Sequence, residues 1–363
     1  MMSGGVDSSV AAAVLRDQGH DVVGVTLKLW GGESDSGCCS ISDVDDARRV
    51  ADHLSIDHHT FGLSDEFTRH VVDPYTADHA RGLTPNPCIE CNRHLKFAAV
   101  DERARQLGFE AVATGHHARI TLRPDGIRRV ARGADRGKDQ SYVVHMLDQD
   151  RLSRTLFPIG HLEKNEVRKM AAELGLRTAS KPDSQDVCFI TRSTGRQVFL
   201  GNRIPLTPAV VVDPQGKVVG GVPAVETVTL GQRKGLGLAG GGEPRYVIGV
   251  DRDRPDPVVT VGTAADLLVD EQPVMGWQVT GYPEGGSTGG EPTVSEVTVQ
   301  TSAHGIACPA TVIADPAHPD EPGRVLVRWH QPQRRVAPGQ TVVAYDGDEV
   351  VAGGMASSPA RVS

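Results

Sequence analysis

Ser3-Gly4-Gly5-Val6-Asp7-Ser8-Ser9 stands directly ahead of the apolar run Val10-Ala11-Ala12-Ala13-Val14-Leu15. Glycines let backbone N–H groups approach an anion, serine hydroxyls add donors, and a helix start adds partial positive charge. A bare Gly-Gly before a helix reads more simply as a turn with a serine cap; the whole string is a more specific phosphate cradle. It lacks the lysine of a GxxxxGK(S/T) loop and the spacing of GxGxxG. Working outward, Ser8–Asp17 reads as a helix stopped at Gly19, and Asp21–Leu29 as a buried strand. Asp43–Leu54 has a helical apolar face. Ile56–Phe61 reads as a short strand, Asn92–Leu107 as a helix, and Glu110–Thr114 as a strand running into Gly115. Such β–α alternation predicts a parallel sheet covered on both faces.

After Gly195 the texture changes. Short β-rich runs, Ala209–Val212, Val258–Val261, Thr311–Ile313, Val325–Trp329 and Thr341–Ala344, are separated by Gly and Pro. They predict two small β domains, the last barrel-like. The expected division is 1–195 for an α/β catalytic domain, 196–265 for a small central β domain and 266–363 for the last one, with Tyr282–Pro292 a long loop. A loop of this kind hangs from the C-terminal end of a buried strand. Only Met1 and Met2 precede Ser3, so the natural chain is expected to begin upstream.

The 363 residues suit two or three domains, and no stretch approaches the ~18 apolar residues of a membrane span. No basic segment followed by an apolar run opens the chain, which points to a cytoplasmic protein without a membrane partner. The net charge of −8 argues against a non-specific nucleic-acid coat but leaves room for one local basic face. Cys38, Cys39, Cys88, Cys91, Cys188 and Cys308 are too few for a disulfide scaffold of this size. In a reducing compartment they read as metal ligands, catalytic thiols or fillers.

Thr84-Pro85-Asn86-Pro87-Cys88-Ile89-Glu90-Cys91-Asn92 puts a CxxC in a proline-stiffened loop entering a helix, where a helix dipole favours thiolate. By itself that motif is open between redox chemistry, zinc and chance. Lys181-Pro182-Asp183-Ser184-Gln185-Asp186-Val187-Cys188-Phe189 carries another thiol, which alone reads as a buried filler. Cys38 and Cys39 are adjacent and read as bystanders, Cys308 as filler. His58-His59 and His116-His117 lack metal-ligand spacing. Lys138-Asp139 and Arg233-Lys234 are either surface charges or nucleic-acid contacts.

Together these segments resemble the tRNA-specific 2-thiouridylase family (the MnmA or TrmU type) of the PP-loop ATP pyrophosphatases. The likeness rests on SGGVDSS, on TPNP ending in Cys91-Asn92, and on Lys96-Phe97 and Ala113-Thr114-Gly115-His116. It continues through Lys138-Asp139-Gln140-Ser141-Tyr142, Phe157-Pro158, Lys181–Gln185 with Cys188-Phe189, Gly231–Gly237 and Pro338-Gly339-Gln340. The resemblance implies a PP-loop domain like the adenine nucleotide alpha-hydrolases, and ATP-dependent transfer of persulfide sulfur to C2 of a wobble uridine. It implies that Ser3, Gly4, Gly5, Val6, Asp7, Ser8, Ser9, Leu27 and Gly115 hold ATP with Mg2+, Leu27 through its backbone at the adenine. Cys188 would carry a persulfide from a cysteine desulfurase or a sulfur-relay protein, and Cys91 would free the sulfur by forming a disulfide with Cys188. Asn86 and Pro87 would approach the target base, and His116, Lys138, Asp139, Gln140 and Gln340 the tRNA. The chemistry is coherent: the C2 oxygen is a poor leaving group until adenylated, and a persulfide is a strong nucleophile at neutral pH. The base must also leave its stack to reach a buried site.

Some positions depart from the family pattern. Cys88 stands where most members have Asp, Asp186 where Gly is usual, and His117 where Tyr is usual. An arginine near Ser302 and a histidine before Val228 are absent. Cys88 adds a further expectation: with Cys91 and Cys188 it makes a three-thiolate set for a 4Fe–4S cluster with one open iron. Two rivals remain at this point. Another PP-loop synthetase or adenylating ligase would need no cysteine pair, and a zinc-stabilised tRNA-binding protein would need no phosphate loop.

Overall fold

Gly5, in extended conformation, is the N-cap from which α1 (Val6–Asp17) starts. One face of α1 buries Val6, Val10 and Ala13 against Ala47, Val50, Ala51 and Leu54 of α2 (Ile41–Leu54) and Val167 and Ala171 of α3 (Lys164–Glu173). The structure is a computed structural model describing residues 1–29, 41–183, 187–190, 195–239, 242–280 and 295–358. Cys38, Cys39, the Ser184-Gln185-Asp186 part of the second cysteine motif and the expected loop at Tyr282–Pro292 lie outside the described residues.

Strand β1 (Val23–Lys28) pairs in parallel with β2 (Asp57–Gly62), Val23 opposite Asp57. Further on come β3 (Val112–Ala113), a hairpin of β4 (Ala118–Leu122) and β5 (Arg128–Arg132), and β6 (Thr155–Leu156), which runs parallel to β3. Met1 and Met2 lie between the two parallel pairs: the Met1 ammonium donates to the Ala113 carbonyl at 2.6 Å, and the Met2 N–H to that of Val25 at 2.7 Å. Below this layer sits the α1–α2–α3 core. Above it Leu27, Phe67, Val71, Tyr75, Leu95, Phe189 and Phe199 form a second apolar cluster. Both faces of the parallel layer are thus covered, as the alternation predicts.

The central unit is a four-stranded sheet of β7 (Ala209–Val212), β8 (Val218–Val222), β9 (Tyr246–Asp251) and β10 (Val258–Gly262), in the order β8-β7-β10-β9 with β7 and β10 parallel. The last unit contains β11 (Leu268–Val279), β12 (Ser295–Gln300), β13 (Cys308–Ala314), β14 (Val325–Arg334), β15 (Thr341–Asp346) and β16 (Glu349–Ala356). Their antiparallel order β11-β14-β13-β12-β15-β16 closes because β16 pairs back to β11, giving a six-stranded barrel. Closure removes the exposed ladder of an edge strand.

One element crosses the expected division at 195. The β4–β5 hairpin joins the barrel sheet through Ala131 opposite Glu349. Arg119 and Arg136 hold Asp348 at 3.0 and 2.7 Å, and Arg123 holds Glu349 at 3.0 Å. Pro124-Asp125-Gly126, with Gly126 at φ +85°, is the turn chemistry that signals this hairpin. Among the described residues no helix is long and apolar enough to cross a membrane.

Four histidines of the described residues are buried among these units, His79, His116, His117 and His145. His79 binds the Glu226 carbonyl at 3.1 Å, His116 the Thr114 hydroxyl at 2.7 Å, and His145 the Tyr142 carbonyl at 2.8 Å. Burial lowers His79 and His145 to about 4 and His116 well below its ordinary value. The folded state therefore binds fewer protons than the unfolded chain, whose histidines titrate near 6.5, so stability present above that pH is lost as it falls toward 4. The expected result is a Tm several degrees lower at pH 5 than at pH 7, His79 and His145 each costing about 2 kcal/mol. A Tm that does not change between these pH values in a thermal scan contradicts this.

Candidate active site

The SGGVDSS loop closes on itself before it can present anything outward. Ser8 and Ser9 hydroxyls donate to the Gly5 carbonyl at 3.2 and 2.8 Å, and the Ser3 N–H donates to Ser8 Oγ at 3.1 Å. Gly4 sits at φ +70°, where a Cβ would lie 2.3 Å from the Asp43 carbonyl oxygen, so only glycine fits. Gly115 packs against the first turn of α1; a Cβ there would lie 2.5 Å from the Ser8 nitrogen. Leu27, buried near the end of β1, belongs to the upper cluster. The structure thus brings Ser3–Ser9 and Gly115 into contact, with Leu27 on the adjoining strand.

Around this loop is a charge network that reading the sequence missed. The Lys164 ammonium, at the first residue of α3, contacts both Asp7 oxygens at 2.8 and 2.7 Å and Asp183 at 2.9 Å. Asp183 also receives Lys138 at 2.8 Å and Arg168 at 2.9 Å. Lys181 reaches the Gly4 carbonyl at 3.0 Å, Asp43 at 2.7 Å and Asp46 at 2.7 Å. His117 Nε2 meets Asp7 at 3.2 Å. Burial pushes the Asp7 carboxyl up, but His117 and Lys164 more than reverse this and hold it below its ordinary value. Asp183 is likewise raised by burial and then brought down to about 2 by Lys138 and Lys164. The only signal in the sequence was Lys164 itself, a cation at a helix start where the dipole disfavours one.

The helix expected from Asn92 begins earlier. Asn86 caps it, its side-chain oxygen accepting the Cys88 N–H at 3.1 Å, Pro87 fills the first position, and helical structure runs through Pro87–Glu90, Cys91–Ala99 and Val100–Gln106. Cys88 therefore stands in the first turn and is exposed, while Cys91 is one turn further on and only 8% exposed. The positive helix end acts over that first turn, so it bears on Cys88 more than on Cys91. Cys91 and Cys188 share one apolar cluster. Phe189 anchors the second of them, its ring edge-on to Phe67 at 5.6 Å and Tyr75 at 5.4 Å.

The expected cluster site does not fit this arrangement. Among the described residues no three His, Cys, Asp or Glu side chains group around a metal position, and Cys88 is exposed where Cys91 is buried. The same finding weighs against the zinc rival.

The remaining candidates divide by burial. Pro87, His116 and Asp139 are buried, whereas Lys138 has a 43% exposed side chain. The Asp139 carboxylate accepts from Gly133 N–H, Ser141 N–H, the Ser141 hydroxyl and Arg132, so in this structure it shapes its own loop. Gln140 and His117 exchange hydrogen bonds of 2.9 Å, which brace the segment after Gly115. His116 packs between Phe97, tilted to it, and Phe157, edge-on to it. Pro338-Gly339-Gln340 leaves the barrel to dock on the Thr84 loop: the Thr84 N–H donates to the Pro338 carbonyl at 2.8 Å, and the Gln340 amide donates to the Thr84 carbonyl.

A glycine–serine loop at the start of α1 on a parallel α/β layer, two thiols in one apolar cluster and two further β units mark the class as a nucleotide-dependent enzyme with thiol chemistry. The family model described as the tRNA methyl transferase HUP domain matches residues 1–192, its PRC-barrel domain 197–262, and an aminomethyltransferase beta-barrel domain 288–356. The chain is 44% identical over 365 residues to the tRNA-specific 2-thiouridylase MnmA of Chloroflexus aurantiacus, covering 99% of this chain and 97% of that one. It is 46% identical to the enzyme of that name from Mycolicibacterium smegmatis, with 97% and 96% covered. The chain belongs to the tRNA-specific 2-thiouridylase family.

Proposed function

We propose that this protein adenylates C2 of the wobble uridine of a tRNA with ATP and replaces the activated oxygen by sulfur. Three observations support the reading: the SGGVDSS loop packed on Gly115, the apolar cluster that Cys91 shares with Cys188, and the Thr84 loop braced by Gln340. ATP enters with its phosphates at Ser3–Ser9 and its adenine at Leu27. Asp7 offers a hard oxygen for Mg2+, which commonly takes one or two carboxylates together with substrate phosphates. The uridine C2 oxygen attacks the α-phosphorus, pyrophosphate leaves, and C2 becomes electrophilic.

Cys188 carries the persulfide, supplied by a cysteine desulfurase or a relay protein. Its terminal sulfur attacks C2 and AMP departs. The Cys91 thiolate then attacks Cys188 Sγ, the new thiouridine sulfur leaves, and a Cys91–Cys188 disulfide remains. Two electrons from an external thiol reductant reopen it. Asn86 and Pro87 approach the base, Lys138, Gln140 and Gln340 the tRNA around it, and the buried Asp139 and His116 support that segment from within. The work belongs in the cytoplasm, where tRNA, ATP and reductant coexist.

The test is to incubate the purified chain with unmodified tRNA, ATP and a persulfide donor, then digest the tRNA and analyse its nucleosides by mass spectrometry. The expected product is 2-thiouridine at the wobble position, with one AMP formed per modification. AMP formation that does not depend on tRNA, or sulfur at another position, overturns the reading.

A further inference from the structure

Lys164 spends all its hydrogen-bonding capacity within the protein. An ammonium has three N–H donors; two go to the Asp7 oxygens at 2.8 and 2.7 Å and one faces Asp183 at 2.9 Å. Its side chain is only 9% exposed, so a charge that is costly to bury is kept at the mouth of the phosphate loop. It also stands at the positive end of α3, where a cation is disfavoured. Asp7 and Asp183 offset the burial of the charge, and Asp135, whose carboxylate accepts the Lys164 backbone N–H at 3.0 Å, helps offset the helix end.

Asp7 and Asp183 belong to different parts of the machinery. Asp7 is inside the phosphate loop. Asp183 lies five residues before Cys188 on a segment whose Lys181 also clamps the loop at the Gly4 carbonyl. The segment leading to Cys188 is therefore fastened to the phosphate loop at two points, and Lys164 is the joint of one of them.

We propose that Lys164 is a positioning residue that couples ATP occupancy of the phosphate loop to the placement of Cys188. The inference rests on the reading that ATP binds this loop. A triphosphate at the start of α1 competes for the same three donors, and each donor it takes is withdrawn from a carboxylate. Asp183 is the replaceable partner, because Lys138 at 2.8 Å and Arg168 at 2.9 Å still satisfy it. Asp7, part of the loop, stays. ATP thus frees Asp183 from the loop, and the Cys188 segment is released on that side when the nucleotide arrives. Sulfur is then presented once the activating nucleotide is in place.

The experiment measures the rate of iodoacetamide alkylation of Cys188, read by peptide mass spectrometry, with and without a non-hydrolysable ATP analogue. Binding of the analogue is checked by equilibrium dialysis. In the native chain the analogue is expected to raise the rate at least fivefold. In Lys164→Met the ratio should fall below twofold although the analogue still binds, and Lys164→Arg should restore at least half of the native response. Each variant is compared with its own rate without nucleotide, so a merely structural role of Lys164 changes Tm and leaves the ratio alone. A native ratio near one with the analogue bound overturns the coupling, whatever the variants do. So does a native-like ratio in Lys164→Met. A native chain that binds no analogue overturns the underlying reading as well.

Discussion

Cys188→Ser is expected to abolish thiolation while tRNA-dependent adenylation continues. A hydroxyl cannot store sulfur at the persulfide level, so no 2-thiouridine should be detectable, a loss of at least about 10³-fold given the usual weight of a covalent nucleophile. The Phe189 anchor remains in the Phe67–Tyr75–Phe199 cluster, so folding should be little changed. Cys91→Ser should fail differently. It should still load a persulfide on Cys188 and form AMP, yet release no thiolated tRNA, because the thiol that displaces the product from Cys188 is gone. Separate assays of persulfide loading, pyrophosphate release and thiouridine content distinguish the two. Full thiolation by either variant sinks the assignment of both cysteines.

Gly115→Ala should have the next largest effect, and on ATP rather than sulfur. Its Cβ would lie 2.5 Å from the Ser8 nitrogen and 2.7 Å from the Asp7 carbonyl carbon, both backbone atoms that no rotamer change can move. Relief requires displacing the first turn of α1, the part of the loop that offers N–H groups to phosphate. Overpacking of this kind costs about 1–3 kcal/mol, which through RT ln K weakens ATP binding roughly tenfold or more. Calorimetry with ATP checks this. Native affinity in a folded Gly115→Ala protein means the loop and Gly115 do not form the nucleotide site together.

Much of the fold was legible. The period of apolar residues located α1, α2, β1 and β2 to within two residues, because each element buries one continuous face. The five β runs named after Gly195 were legible for the same reason, whereas β8, β9, β11, β12 and β16 were not read. The β4–β5 hairpin was not read in spite of its Pro124-Asp125-Gly126 turn, since Arg128-Arg129-Val130-Ala131-Arg132 looks polar; in the structure Arg119 meets Asp348, and Arg123 and Arg129 meet Glu349 of the barrel. The early start of the Cys91 helix was hidden by two prolines. Only the capped geometry shows that Asn86 and Pro87 begin a helix there.

By itself the sequence determined the local chemistry: a glycine–serine loop before a helix, two cysteine segments, and a change from α/β to β texture. These depend on neighbours along the chain, where residue type and spacing are enough. Tertiary structure alone decided which groups share a site. It put Cys91 and Cys188 into one apolar cluster while Cys88 was left exposed, and it turned Asp139 inward. It also placed Lys164 between carboxylates 157 and 19 residues away in the chain. Coulomb attraction and desolvation depend on distance and burial in space, and neither is written in the order of residues.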